Sequence, residues 1–213
     1  MQKQILTRRT ILTLLDDLAQ GIAPMIPGPV DMHVFGGAGF CLSETFTRVA
    51  RDIDAYVADG ETRIEMGWAA RDIGVMRRLK PINPGEWLHL NPVSLEPFVA
   101  ERDRYFAPLP ARFLRQPNLR VHLLKPEPQL ALKLLREFPW VEPKDIRDMA
   151  RLCAILGISD RAKLADVWAR HADLLPGYVG TKTRHRVAAH WDRIEAHNRV
   201  RAKLSAGTAP AMV

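Results

Sequence analysis

Only two cysteines stand among the 213 residues, Cys41 and Cys153, far apart and never as Cys-x-x-Cys, so neither a disulfide framework nor a cysteine zinc site is expected. Both are flanked by apolar residues, and free cysteine is among the most buried residue types, which predicts two interior thiols. No apolar run reaches the roughly 18 to 20 residues that a membrane helix needs. The opening MQKQILTRRTILTLLDD is broken by charge too often to be a secretory signal, so a cytoplasmic protein with no membrane partner is expected. No internal repeat occurs. His190 and His197 are seven apart and share a helix face, but His185 is out of step and no carboxylate or cysteine completes a metal set.

What the chain does have is apolar mass and positive charge. At 47% hydrophobic it can bury the core of one domain, or of one domain with a helical appendage. The net charge of +7 favours a polyanionic partner. Most of the excess lies near the end, where Lys182 to Lys203 carries a surplus of five positive charges. That segment reads as a helix whose inward stripe, Val187, Trp191 and Ile194, stops at Asn198. Its basic face is either a solvated helix surface behind that stripe or a face suited to a phosphate backbone, such as that of RNA or tRNA, because each neutralised phosphate releases counterions.

Periodicity gives an order of elements. Gln4 to Ala19 has helical spacing and is stopped by Gly21 and the prolines after it. VDMHVF reads as a strand ended by Gly36-Gly37, AGFCLSETF as about two helical turns, and RDIDAYV as a second strand bounded by Asp59-Gly60. Trp68 to Lys80 reads as a helix, and Ser94 to Arg104 as a helix capped by Ser94. ARFLRQPNLRVHLL, Ala111 to Leu124, reads as a hairpin turning at Pro117-Asn118. Helices are expected over Glu127 to Glu137, Glu142 to Leu156, Asp160 to Leu174 and Thr183 to Leu204, with Gly157 as a stop and Ser159 as a cap. The expected organisation is an α/β core over 1–125, a helical region over 126–205 and a disordered tail over 206–213.

The chemistry concentrates between Val34 and Val57, VFGGAGFCLSETFTRVARDIDAYV. In a strand, Asp52 and Asp54 project from one face while Ile53 and Ala55 enter the core. Two carboxylates about 6 to 7 Å apart on one face repel unless a cation lies between them. Oxygen ligands of this kind suit Mg2+, which keeps one or two protein carboxylates and completes its shell with water and substrate phosphate. Gly36 and Gly37, at the join of a strand and a helix, permit close backbone approach and offer amides to a phosphate. The structural alternative is a tight turn followed by a charged strand end. Trp87, His89 and Asn91 alternate in GEWLHLNPVSLE, open either to stacking on a base or to packing in a core or loop.

In this order, hydrophobic-Gly-Gly, short helix, Asp-h-Asp, the segment resembles the nucleotidyltransferase superfamily with the DNA polymerase beta palm. FGG…TRVARDIDAYV is similar to the corresponding segment of bacterial AbiEii-like proteins and to a neighbouring group labelled DUF6036. LRVHLLKPEPQLALKLL followed by KDIRDMARL resembles the same families' strand, lysine helix and acidic helix, so the likeness spans about Val30 to Leu156. It implies an α+β fold, a small mixed sheet followed by a helical C-terminal half. It also implies a two-metal Mg2+ site on Asp52 and Asp54, phosphates on Gly36 and Gly37, and Arg48 near Asp52 or a phosphate. Lys133 is implied to approach the nucleotide, with Asp145 or Asp148 beside it, although those acids are equally able to pair with Lys144, Arg147 or Arg151.

The implied activity is transfer of a nucleoside monophosphate from an NTP to an RNA (tRNA) or protein hydroxyl, in a toxin-antitoxin or phage-defence setting with a cognate partner protein. Two departures bear on it. Ala50 stands where the pattern often has Ser or Thr, and the strand LRVHLL offers His122 where active members carry a third carboxylate, with Glu127 just beyond. A histidine can act as a base near neutral pH but is a poorer Mg2+ ligand. The alternative expectation is therefore a degenerate nucleotidyltransferase fold acting as a nucleotide- or nucleic-acid-binding antitoxin or regulator.

Overall fold

A computed structural model describes residues 5–43, 49–79, 84–92, 95–135, 141–174 and 182–207. The chain is α+β, and it divides into two compact units, Met1–Lys125 and Pro126–Val213. Among the described residues no helix is long and apolar enough to cross a membrane.

The first unit is built on a mixed five-stranded sheet with order β3-β2-β1-β5-β4. Its strands are β1 (Val30–Phe35), β2 (Ile53–Tyr56), β3 (Leu88–Leu90), β4 (Phe106–Pro108) and β5 (Leu119–Leu124). β1 is central, antiparallel to β2 and parallel to β5; β3 runs parallel to β2 and β4 antiparallel to β5. Period-2 alternation sorts the side chains. Val30, Met32 and Val34, Ile53 and Ala55, and Leu119, Val121 and Leu123 enter one hydrophobic core. Helices α1 (Arg8–Ile22), α2 (Gly36–Leu42) and α3 (Gly60–Met76) supply most of the rest of that core, including Leu14, Leu18, Ala38, Cys41, Met66 and Ile73. The other face carries Asp31, His33 and Phe35, Asp54 and Tyr56, His89, and Arg120 and His122. Two short helices, α4 (Glu96–Ala100) and α5 (Arg102–Tyr105), precede β4 and bury Phe98 and Tyr105.

Several elements differ from the sequence reading. The helix expected from Trp68 begins at Gly60, because the Asp59 side chain accepts from the Thr62 amide at 2.7 Å and caps it. The helix expected over Ser94 to Arg104 is two short ones, and Ser94 lies outside the described residues. The expected hairpin at Pro117-Asn118 does not form. Ala111–Phe113 is a turn of 3-10 helix, and β5 takes its antiparallel partner from β4 and its parallel partner from β1. Buried β-branched and leucine residues mark β5 as a strand but carry no record of its neighbours.

The second unit is helical, with α6 (Pro126–Leu134), α7 (Pro143–Ile155), α8 (Arg161–His171) and α9 (Lys182–Gly207). Glu142 and Asp145 form a capping box on α7. Gly157, at φ +66°, ends that helix in a Schellman motif, with amides of Gly157 and Ile158 donating to Ala154 and Cys153 carbonyls. Asp160, not Ser159, caps α8, accepting from the Lys163 amide at 2.9 Å. Helix α9 runs to Gly207, beyond the start of the expected tail, and 208–213 lie outside the described residues.

Candidate functional site

The glycine turn and the acid pair meet in the first unit. The register of β1 and β2 sets Phe35 opposite Asp54, so Gly36, the next residue, turns beside that carboxylate. Gly36 has φ +63°, and a Cβ added there would stand 2.9 Å from Asp54 Oδ2. The backbone conformation therefore favours glycine, and a side chain there would also have to displace the end of the Asp54 carboxylate. Gly37 follows as the second residue of α2. Asp52 and Asp54 are partly exposed, while Ile53 and Ala55 are fully buried, as alternation predicts.

A third side chain stands with the acids. β3 places His89 opposite Asp54, and His89 Nδ1 is 3.4 Å from Asp54 Oδ1 and 3.8 Å from Asp52 Oδ2. The Trp87, His89, Asn91 alternation thus divides by role. Trp87 is fully buried and its indole N–H donates to the Ala70 carbonyl at 2.7 Å. Asn91, at φ +56°, clips the end of β2, accepting from the Val57 amide at 2.9 Å and donating to its carbonyl at 3.1 Å.

His122 belongs to a neighbouring cluster on the same face. Its Nε2 lies 2.8 Å from Asp31 Oδ1, while Asp31 Oδ2 accepts from Arg120 at 2.9 Å and Arg102 at 3.4 Å. Burial opposes ionisation of Asp31, but the His122 hydrogen bond and the arginine charges outweigh it and hold the carboxyl below its ordinary range. His33, opposite His122 in the parallel register, stacks on it at 5.0 Å and meets the edge of Phe106 at 4.7 Å. Burial, then the His122 ring, lowers His33 to about 4, against a smaller opposing pull from Asp31 and the Tyr56 backbone.

The remaining expected residues fall elsewhere. Arg48 lies outside the described residues. Lys133, in the second unit, is held by two buried carboxylates, Asp145 at 3.0 Å and Asp148 at 2.8 Å. Those acids therefore close on Lys133 rather than on Lys144, Arg147 or Arg151; Lys144 reaches Glu142 instead. Glu127 is engaged within its own unit by Arg170 at 2.8 Å and His171 at 3.2 Å. Ala50 is buried and exchanges both backbone hydrogen bonds with Leu6, a place where a hydroxyl would need its own partner.

Among the described residues no three His, Cys, Asp or Glu side chains form a group able to hold a metal ion. Two carboxylates still fit Mg2+, which takes most of its octahedral shell from water and phosphate oxygens. Sequence reasoning missed His89 as a neighbour of the acids, and missed Asp31. The available signal was the alternation Asp31-x-His33 and Arg120-x-His122, two polar pairs in otherwise apolar strands. Compared with protein-family models, with curated proteins and with solved structures, the chain matches none.

Proposed function

We propose that the first unit is a nucleotidyltransferase-like core and that Asp52 and Asp54 bind Mg2+ carrying an NTP. The observation that supports this best is the meeting of Gly36 with Asp54, where a Cβ would stand 2.9 Å from the carboxylate. Two sequence signals that are ordinary alone thus share one place. Bound Mg2+, in a two-metal arrangement, would supply charge stabilisation to the attacking and leaving oxygens. Asp52 and Asp54 would hold the metal, Gly36 and Gly37 leave room for phosphate against the backbone, and His89 orients Asp54.

In the reaction an acceptor hydroxyl oxygen forms a bond to the α-phosphorus. The bond from that phosphorus to the bridging oxygen breaks, pyrophosphate leaves with the electron pair, and the hydroxyl proton passes to solvent. The acceptor class we favour is RNA, tRNA included, over a protein hydroxyl. Helix α9 supports it: every described side chain from Glu195 to Leu204 is exposed except the half-buried His197, and Arg199, Arg201 and Lys203 outnumber Glu195 there. The resemblance to AbiEii-like proteins adds Arg48 as a nucleotide-side residue, a toxin-antitoxin partner protein and a cytoplasmic setting.

The test is incubation with each labelled NTP, Mg2+ and total RNA or protein, beside the Asp52→Ala/Asp54→Ala protein. Incorporation that depends on both acids is expected; incorporation that survives their loss sinks the metal assignment. A second reading, a degenerate fold that binds nucleotide or nucleic acid without transfer, is favoured by one observation. The group next to the acids is His89, and no third carboxylate joins them among the described residues. NTP binding with Mg2+ but no transfer would select it.

A further inference from the structure

The polar face of the sheet carries more chemistry than the acid pair uses. A cleft of about 560 Å³ lies along it, lined by Asp31 and His33 of β1, Ala58 beyond β2, and the stretch from Val99 to Arg104. That size is in the range of small-ligand sites, about 300 to 1,000 Å³. His33 is 3% exposed, and neither ring nitrogen reaches a partner within hydrogen-bond geometry. A neutral imidazole offers one donor and one acceptor, and buried polar groups of this kind are nearly always paired. Only the Tyr56 backbone draws weakly on the ring, outside hydrogen-bond geometry, so at the wall of a cleft a ligand is the group left to complete it.

The charges say which ligand. Asp31, Glu101 and Asp103 outnumber Arg102 and Arg104 in the lining. Both arginines are already neutralised, Arg102 by Asp31 at 3.4 Å and Asp103 at 3.7 Å, and Arg104 by Glu101 at 2.8 Å. An entering phosphate would have to break those pairs, whereas an uncharged ligand rich in hydroxyl donors would not. A ribose presents two adjacent hydroxyls to a carboxylate such as Asp103, the most exposed one of the lining, and a base edge can satisfy a neutral imidazole in both senses. The position is also suitable: Asp31, His33 and Phe35 follow one another on this face, and Phe35 is the register partner of Asp54. His33 is thus about 7 Å along the strand from the level of the acid pair.

We propose that this cleft is the acceptor subsite and that it takes the ribonucleoside end of an RNA, sugar and base rather than phosphate. The proposal rests on the nucleotidyltransferase reading for the fate of that end, but binding does not require the chemistry. The experiment is fluorescence anisotropy with a short 5′-labelled oligoribonucleotide and no NTP. Ala58→Trp and Ala100→Trp fill the cleft from exposed positions, so they should leave melting unchanged. Each is expected to weaken binding tenfold or more, as is a 2′,3′-dideoxy terminus on the RNA.

No binding by the wild-type protein, binding that ignores both tryptophans, equal binding of the dideoxy end, or preference for a tyrosyl peptide over the RNA would each overturn the proposal. The comparison of RNA ends uses wild-type protein and decides even where a tryptophan variant unfolds. If the RNA end binds as described and label is never incorporated, the transferase reading fails and the cleft assignment stands.

Discussion

Asp31 on β1 and His122 on β5 meet Oδ1 to Nε2 at 2.8 Å, although the parallel register sets Asp31 opposite Arg120 and His122 opposite His33. The contact is diagonal, within reach because side chains two apart on neighbouring strands share a face. His122, which the sequence offered in place of a third carboxylate, is therefore committed to a carboxylate of its own.

Because Asp31 is held below its ordinary 3.8 in the folded chain, its stabilising contribution is complete above the unfolded value and is lost as pH falls through the lower folded one. Asp31→Asn is expected to cost about 1 to 3 kcal/mol near neutral pH, the range for hydrogen bonds to charged groups and for orphaned partners. Urea unfolding from pH 7 downward checks this. The gap to wild type should narrow below 3.8, and a constant gap would refute the linkage.

Gly36 and Gly28 separate strain from contact. Both have positive φ, but a Cβ at Gly28 meets nothing within 4 Å, whereas one at Gly36 meets Asp54. Gly28→Ala should cost only the left-handed penalty, about 1 to 2 kcal/mol. Gly36→Ala should cost more and also weaken Mg2+-dependent NTP binding, measured by calorimetry on the folded variant.

His89 is substantially exposed, so His89→Ala should leave thermal stability within about 0.5 kcal/mol of wild type. If it orients Asp54, label incorporation drops while melting does not. Unchanged incorporation would remove His89 from the site.

Lys133 stands between two carboxylates that are 1% and 5% exposed. Lys133→Ala leaves buried charge uncompensated and is expected to destabilise by about 3 to 5 kcal/mol. Asp148→Asn, which leaves the Asp145 partner in place, should cost less. A Lys133→Ala protein as stable as wild type would free that lysine for a role at a nucleotide.

Cys41 and Cys153 are buried, and burial pushes the Cys153 thiol up to about 12. Thiolate is the reactive form, so both cysteines should resist alkylation in the native protein and react in denaturant.

Individual residues show where legibility ended. β1, the glycine turn and β2 were readable because their signals are local: alternation in VDMHVF and RDIDAYV, and a glycine pair between them. The α3 start was misread because Gly60 suggested a break, while the capping bond from Asp59 acts three residues ahead. The expected hairpin failed because β5 pairs with β1, and the sequence between them does not record that adjacency.

The sequence by itself determined the α+β composition, Asp54 on the strand face opposite Ile53 and Ala55 with Asp52 just ahead of the strand, the glycine pair at the start of α2 and the concentration of basic charge near the C-terminal end. Each depends on residues within a few positions of one another, where backbone geometry is periodic. Only the tertiary structure decided that His89 joins the acids, that Asp31 holds His122, that Lys133 is enclosed by Asp145 and Asp148, and that a cleft opens beside His33. Those are contacts between residues 12 to about 90 positions apart, set by strand order, register and helix packing, which depend on how the whole core closes.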